Sequence, residues 1–211
     1  LIITIRNFLY DKKILPIYKS NIPVISVGNI TTGGTGKTPF VIFLIKHFLA
    51  RKLNPLIISR GYCRSSKGQF LITSKSNLTV KTVGDEPYLI SKRFPNIDII
   101  INNKRTEAIK KAEQSNNKYD VIILDDAYQH RSVFRDLNIL LINTKQNHRF
   151  LLPRGSLREP IKNINRADCL VLTKGGELKE PLNFIKKLNP PAYLSKEVYT
   201  QSNIDYNEGI A

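Results

Sequence analysis

The run Val27 to Pro39, VGNITTGGTGKTP, constrains this chain more than any other stretch. It places a glycine-rich segment directly after an apolar strand and directly before an apolar helix. Ile22 to Val27 reads as a buried strand, and Pro39 to Leu49 as a helix so apolar that it must be covered. Between them, Gly33, Gly34 and Gly36 allow a tight turn whose backbone N–H groups converge on an anion, helped by the partial positive charge of the helix N-terminus. Thr31, Thr32, Gly33, Gly34, Thr35, Gly36, Lys37 and Thr38 are therefore the expected nucleotide phosphate cradle. Lys37 is expected to reach the β- and γ-phosphates, and the Thr38 hydroxyl to hold Mg²⁺. The strict pattern G-x-x-x-x-G-K-[ST] fails at Thr31, and GGTGKT is closer to the deviant loops written K-G-G-x-G-K-T, with Thr32 in place of the lysine. A glycine turn that binds nothing is the plainer alternative, disfavoured by the strand and helix on either side.

Apolar runs recur along the chain with helical patterns between them, the signature of a mainly parallel sheet covered on both faces. Strands are expected at 22–27, 55–59, 97–101, 121–125, 138–142 and 169–173, and helices at 39–52, 85–94, 105–115 and 177–188. Two short β-like runs around Asn77, within Gly68 to Val83, suggest a small β-hairpin insertion. The expected fold is α/β, of P-loop NTPase type. With 211 residues and 41% hydrophobic content, one main domain is expected, and the composition argues against disorder.

Ligands of such sheets bind at the carboxyl ends of the strands. VIILDD ends a strand on Asp125 and Asp126, the placement of a magnesium-binding aspartate; alternation along the strand gives the two carboxylates different jobs. A solvated acidic turn is the alternative. Asp85 and Glu86 open a helix, where carboxylates also simply cap N–H groups. Transfer to a hydroxyl needs a carboxylate that takes or orients the acceptor proton, and Asp85 is the candidate. His130 is a candidate to assist or to bind phosphate, against the commoner structural histidine. Arg60, Arg131, Arg154 and Arg158 are candidate phosphate clamps or surface ion pairs. Thr173-Lys174-Gly175-Gly176 lacks the aspartate that reads guanine, which favours adenine.

Lys and Arg number 33 against 17 Asp and Glu, a net charge of +16 that calls for an anionic partner. Aromatic residues do not interleave with the basic ones as a single-strand groove requires, so an anionic membrane surface ranks above nucleic acid, which is not expected. Residues 1–20 mix apolar side chains with Arg6, Lys12, Lys13 and Lys19; an interfacial helix and a helix packed on the domain fit about equally. They are too short and too interrupted to span a bilayer. Two cysteines, Cys63 and Cys169, lack metal-ligand spacing and fit a reducing cytosol. No methionine is present, so the chain reads as a fragment with a truncated N-terminal segment ahead of a domain from residue 21 to 211.

Taken together, VGNITTGGTGKTP, SRGY, VGDEP, LDDAYQHR, LLPRGSLREP and NRADCLVLTK resemble the tetraacyldisaccharide 4′-kinases, the lipid A 4′-kinases of Gram-negative bacteria. The resemblance runs in the family's order across residues 22 to 174. It implies transfer of the ATP γ-phosphoryl group to the 4′-hydroxyl of a lipid A disaccharide 1-phosphate, by a peripheral enzyme at the cytoplasmic face of the inner membrane. It also implies Lys37 and Thr38 as ligands of phosphate and Mg²⁺, Asp85 as catalytic carboxylate, and Asp125 with Asp126 as the acidic pair near the metal. Gln129 and His130 match the family's DDGxQH block, with Ala127 in place of its glycine. The family continues past a segment like Gly209-Ile210-Ala211 into a part with a histidine motif that supports the catalytic aspartate, so residues 1–211 alone are expected to bind ATP and turn over weakly. The rival reading is a deviant P-loop ATPase that acts as a nucleotide-dependent switch with a protein or nucleic acid partner. A binding module with a vestigial loop is weaker, because Lys37, Thr38 and Asp125 are all intact.

Overall fold

The computed structural model describes residues 2–61, 70–73, 79–146, 150–175 and 192–194. Its centre is one sheet of eight strands: β1 (Val24–Asn29), β2 (Pro55–Ser59), β3 (Phe70–Ile72), β4 (Ile99–Ile101), β5 (Val121–Asp125), β6 (Leu137–Asn143), β7 (Cys169–Thr173) and β8 (Ala192–Leu194). The spatial order is β3-β4-β2-β5-β1-β6-β7-β8. All pairs are parallel except β3 with β4. The helices are α1 (Ile2–Asp11), α2 (Lys37–Ala50), α3 (Val80–Val83), α4 (Asp85–Arg93) and α5 (Arg105–Glu113), with a 3-10 helix over Ile161–Arg166.

Strand alternation divides the sheet's apolar residues between two cores. Val27, Ile57, Ile99, Ile101 and Ile123 pack with Phe40, Val41 and Ile45 of α2 and Ile90 of α4. Val24, Leu56, Ile58, Ile122 and Leu124 point the other way, onto Ala108, Ile109 and Ala112 of α5. A third cluster joins Leu140, Ile142, Leu170 and Leu172 to Ile30, Tyr128 and Ile164. Both faces are therefore covered, as the near-continuous apolar strands require.

Differences from the sequence reading are local. β1 starts at Val24 and continues to Asn29, since its register with β6 carries through Gly28 and Asn29. α2 begins at Lys37 because Gly36, at φ 82°, makes the left-handed turn into it. The run before Asn77 forms no hairpin of its own: β3 adds to the main sheet as an antiparallel edge strand, and Val80–Val83 after it is helical, capped by Thr79. Residues 74–78, Cys63 and the expected helix 177–188 lie outside the described residues.

α1 is docked on the domain and keeps an apolar face open. The side-chain amide of Asn7 donates to Glu159 at 2.9 Å, and Arg131 reaches back to the Asn7 carbonyl and Asp11. Ile3, Ile5 and Phe8 remain exposed. The expectation of a helix packed on the domain is thus met on one side of α1, while its other side is apolar and exposed. No described helix is long and apolar enough to cross a membrane.

Candidate functional site

The chain crosses the sheet in opposite directions from β1, whose neighbours are β5 and β6. The crevice at the carboxyl end of β1 is where such sheets take ligands. A cavity of about 620 Å³ opens there, lined among others by Thr32, Gly33, Lys37, Asp85, Glu86, Asp126, His130 and Arg158. Segments more than a hundred residues apart in sequence meet in it.

The glycine-rich loop is held from beneath and from the side. Asn29 donates to the Thr35 hydroxyl at 2.8 Å, and the Thr173 hydroxyl at the end of β7 donates to the Thr35 carbonyl at 3.1 Å. Thr31 is buried and forms an antiparallel bridge with Leu157, while its hydroxyl donates to Gln146 at 3.1 Å. This explains how the loop dispenses with its first glycine: Thr31 serves as a strand residue, with no left-handed turn to make. Thr32 N–H donates to the Ser156 carbonyl at 2.8 Å. Gly33 has φ 94°, and the loop ends on the left-handed Gly36.

Around the cradle stand the charged groups. Lys37 Nζ lies 3.4 Å from Asp126, whose two oxygens both lie 3.0 Å from Arg158 Nη1. The Lys37 ammonium and the Arg158 guanidinium hold the Asp126 carboxyl below the usual range despite burial. The Thr38 hydroxyl donates to Glu86 at 2.9 Å, so α2 and α4 meet through side chains of their first turns. Asp85 is exposed in the cavity wall and accepts the Glu86 N–H at 2.9 Å.

The two aspartates of VIILDD differ as alternation predicted. Asp125 is 1% exposed and takes a hydrogen bond from Ser59 at 3.3 Å, while its Oδ1 is a buried acceptor without a hydrogen-bond partner among the described residues. Burial first, then the negative charges of Glu86 and Asp126, push its carboxyl well above the ordinary range. Asp126 is open to the cavity and carries φ 49°. The positive φ falls on an aspartate, which tolerates it, and not on the following residue. Ala127 therefore replaces a glycine without strain, and its methyl is buried in the core facing α5.

Sequence reading missed Arg105. It is 1% exposed, donates to the carbonyls of Asn102 and Asp125, and remains cationic although burial lowers it to about 10. Nothing in the KRTEA run marks it; only the fold brings it under the end of β5. Glu86 was visible as one half of a capping pair, but its contact with Thr38 belongs to the tertiary structure. Among the arginines, Arg60 and Arg158 line the cavity, whereas Arg131 is spent on α1 and Arg154 stands over the Phe150 ring.

His130 lines the same cavity, and burial, followed by the Arg105 guanidinium, lowers it from 6.5 to about 4. It is neutral at pH 7, so it offers a hydrogen bond and no cation to a phosphate. Between about pH 6.5 and pH 4 the unfolded chain binds a proton that folded His130 refuses, so this group's contribution is intact above pH 6.5 and is lost as pH falls through that window. The loss expected between pH 7 and 5 is at most about 2 kcal/mol. Asp125, raised when folded, works in the opposite direction. Urea midpoints of wild type and His130→Gln at both pH values are expected to show the wild type losing more stability on acidification than the variant.

The donors suit a hard divalent cation. Thr38, Glu86 and Asp125 offer oxygen only, and the buried Oδ1 of Asp125 is an acceptor with no hydrogen-bond partner among the described residues. Among the described residues no three His, Cys, Asp or Glu side chains form a ready metal cage. Mg²⁺ does not need one, since it takes one or two carboxylates and completes its shell with phosphate oxygens and water.

Comparison with known proteins gives the family of the chain. The family model for tetraacyldisaccharide-1-P 4′-kinase matches residues 1–206. The tetraacyldisaccharide 4′-kinase of Aquifex aeolicus (strain VF5) is 43% identical over 209 residues, covering 98% of this chain and 64% of that protein. That of Pelodictyon phaeoclathratiforme is 40% identical over 193 residues, covering 89% of this chain and 54% of the relative. The crystal structure of the "apo" form of LpxK from Aquifex aeolicus in complex with ATP is similar at a TM-score of 0.79 and 40% identity, over 92% of this chain and 60% of that one. The chain thus spans between about half and just under two thirds of the length of these relatives.

Proposed function

We propose that this chain, which belongs to the tetraacyldisaccharide-1-P 4′-kinase family, carries the ATP-binding and acceptor-activating half of a lipid-sugar kinase. The reaction is transfer of the γ-phosphoryl group of ATP to the 4′-hydroxyl of tetraacyldisaccharide 1-phosphate, at the cytoplasmic face of the inner membrane. The observation that carries this reading is the meeting of Lys37, Asp85, Glu86 and Asp126 in one cavity at the end of β1.

Each side chain has a task set by its surroundings. The loop from Thr31 to Gly36 presents N–H groups to the phosphates at the start of α2, where the helix dipole adds to the attraction. Lys37 exchanges Asp126 for β- and γ-phosphate oxygens, and Asp126 keeps Arg158 as its counterion, so no carboxylate is left unpaired when the lysine turns. Thr38 and Asp125, with Glu86, would hold Mg²⁺, which when bound would neutralise charge on the phosphates. Asp85, exposed at the start of α4, orients the acceptor hydroxyl and takes its proton. Gln129 donates to the Asn29 carbonyl at 2.8 Å and so braces the floor between β1 and β5. Little covalent chemistry falls to the protein; alignment and charge do most of the work.

The test is phosphoryl transfer from γ-labelled ATP to tetraacyldisaccharide 1-phosphate in detergent micelles by the full-length protein. Label is expected in the lipid. Label released only as free phosphate, with nucleotide-dependent dimerisation, would replace the kinase by a P-loop ATPase switch.

A further inference from the structure

One exposed loop is at odds with an ordinary soluble surface. Phe150, Leu151 and Leu152 follow one another at 47%, 43% and 51% exposure, and Pro153 and Arg154 beyond them are exposed as well. Single exposed apolar residues are normal, but three in succession at a loop tip are not.

The loop is built, not frayed. Leu157 N–H donates to the Phe150 carbonyl at 3.0 Å, Leu152 N–H to the Leu157 carbonyl at 2.8 Å, and Gly155 N–H to the Leu151 carbonyl at 3.0 Å. A side chain at Gly155 would lie 2.3 Å from the Phe150 carbonyl oxygen, so the tip closes only with glycine there. Its base is stitched to the phosphate cradle: Ser156 accepts from Thr32, Leu157 bridges Thr31, and Arg158 N–H donates to the Ile30 carbonyl at 2.7 Å. Its tip reaches the cavity, because Leu152 is part of the lining.

Charge selects the occupant. From Lys145 to Arg158 the sequence carries Lys145, Arg149, Arg154 and Arg158 with no acidic residue. The Arg154 guanidinium sits 4.7 Å from the centroid of the Phe150 ring, a cation riding on an apolar tip. That combination matches a surface with hydrocarbon below and phosphates at its level, where long basic side chains keep their heads among the headgroups.

We propose that residues 150–154 form a membrane-contact loop, in which Phe150, Leu151 and Leu152 enter the interfacial layer of an anionic bilayer and Arg154 pairs with a lipid phosphate. The loop then holds the mouth of the cavity against the leaflet, so that a headgroup hydroxyl is presented towards Asp85 without leaving the membrane. This rests on the lipid-kinase reading for its purpose, though membrane contact itself is measured without turnover.

The experiment is sedimentation of full-length protein with vesicles of phosphatidylethanolamine and phosphatidylglycerol, beside vesicles of phosphatidylcholine alone. Leu152 is left in place because it lines the cavity. Phe150→Ser/Leu151→Ser is expected to weaken partition into the anionic vesicles about tenfold or more. Arg154→Gln should weaken it about fivefold, with a far smaller change on the neutral vesicles. A double variant that sediments like the wild type overturns the proposal, as does a wild type that stays in the supernatant and leaves the tip to a protein partner. Micellar phosphoryl transfer, run in parallel, separates the two readings: transfer with unaltered partition of the double variant sinks the loop alone, and lost partition without any transfer by the wild type sinks the kinase alone.

Discussion

Asp85→Asn is expected to lower kcat for transfer to the lipid by about a thousandfold, the range of a lost proton acceptor, with ATP affinity unchanged. The reasoning is positional. Asp85 is exposed at the start of α4, whereas its neighbour Glu86 holds Thr38 at 2.9 Å. Asparagine keeps the shape and can still accept the Glu86 N–H, so the helix start survives. Lys37→Ala is the contrasting variant: it removes a cation from the phosphates themselves and is expected to weaken both nucleotide binding and turnover, the latter by about a hundredfold or more. Single-turnover rates with isothermal titration of ATP separate the two. If Asp85→Asn weakened ATP binding as much as Lys37→Ala, Asp85 would belong to the nucleotide site and the acceptor would need another base.

Glu159→Gln should lower stability by about 3 kcal/mol. Glu159 is fully buried, and its Oε2 accepts from Arg166 at 2.7 Å, Asn163 at 2.7 Å and Asn7 at 2.9 Å. One carboxylate therefore ties α1 and the 3-10 helix to the segment that carries Arg158. An amide leaves Arg166, which lies over the Tyr128 ring at 4.8 Å, without its counterion. At this chain length the loss corresponds to a fall in Tm of about 10 °C, read by calorimetry. Asn7→Ala, which removes the hydrogen bond to Glu159 and a long one from Arg6 but no charge, is expected to cost about 1 kcal/mol and to loosen α1 alone, seen as faster proteolysis there. A Glu159→Gln variant that melts with the wild type would mean that the buried pair only offsets its own desolvation.

How much of this was legible beforehand varies by the range of the interaction. β2, β5 and β7 have the expected bounds because their apolar runs are closed off by turn residues on either side. α4 and α5 also start where expected, at Asp85 and Arg105. β3 was misjudged as part of a separate hairpin, since three residues of strand pattern carry no information about which edge they join. The roles of the arginines were open for a similar reason. Arg131, Arg154 and Arg158 look alike in sequence, yet one holds α1, one covers an aromatic ring at a loop tip and one neutralises Asp126.

The amino-acid sequence by itself determined six of the strands and the helices α2, α4 and α5, the glycine-rich loop with Lys37 and Thr38, and the placing of Asp125 and Asp126 on opposite faces. These depend on residue spacing, turn chemistry and alternation, which act within a few residues. Only the tertiary structure decided that Asp125 is sealed over Arg105 while Asp126 faces the cavity, that Glu86 meets Thr38, and that the loop at 150–158 is stitched to the cradle. Those facts depend on which strand lies beside which, and the order β2-β5-β1-β6 brings together segments that no local pattern connects.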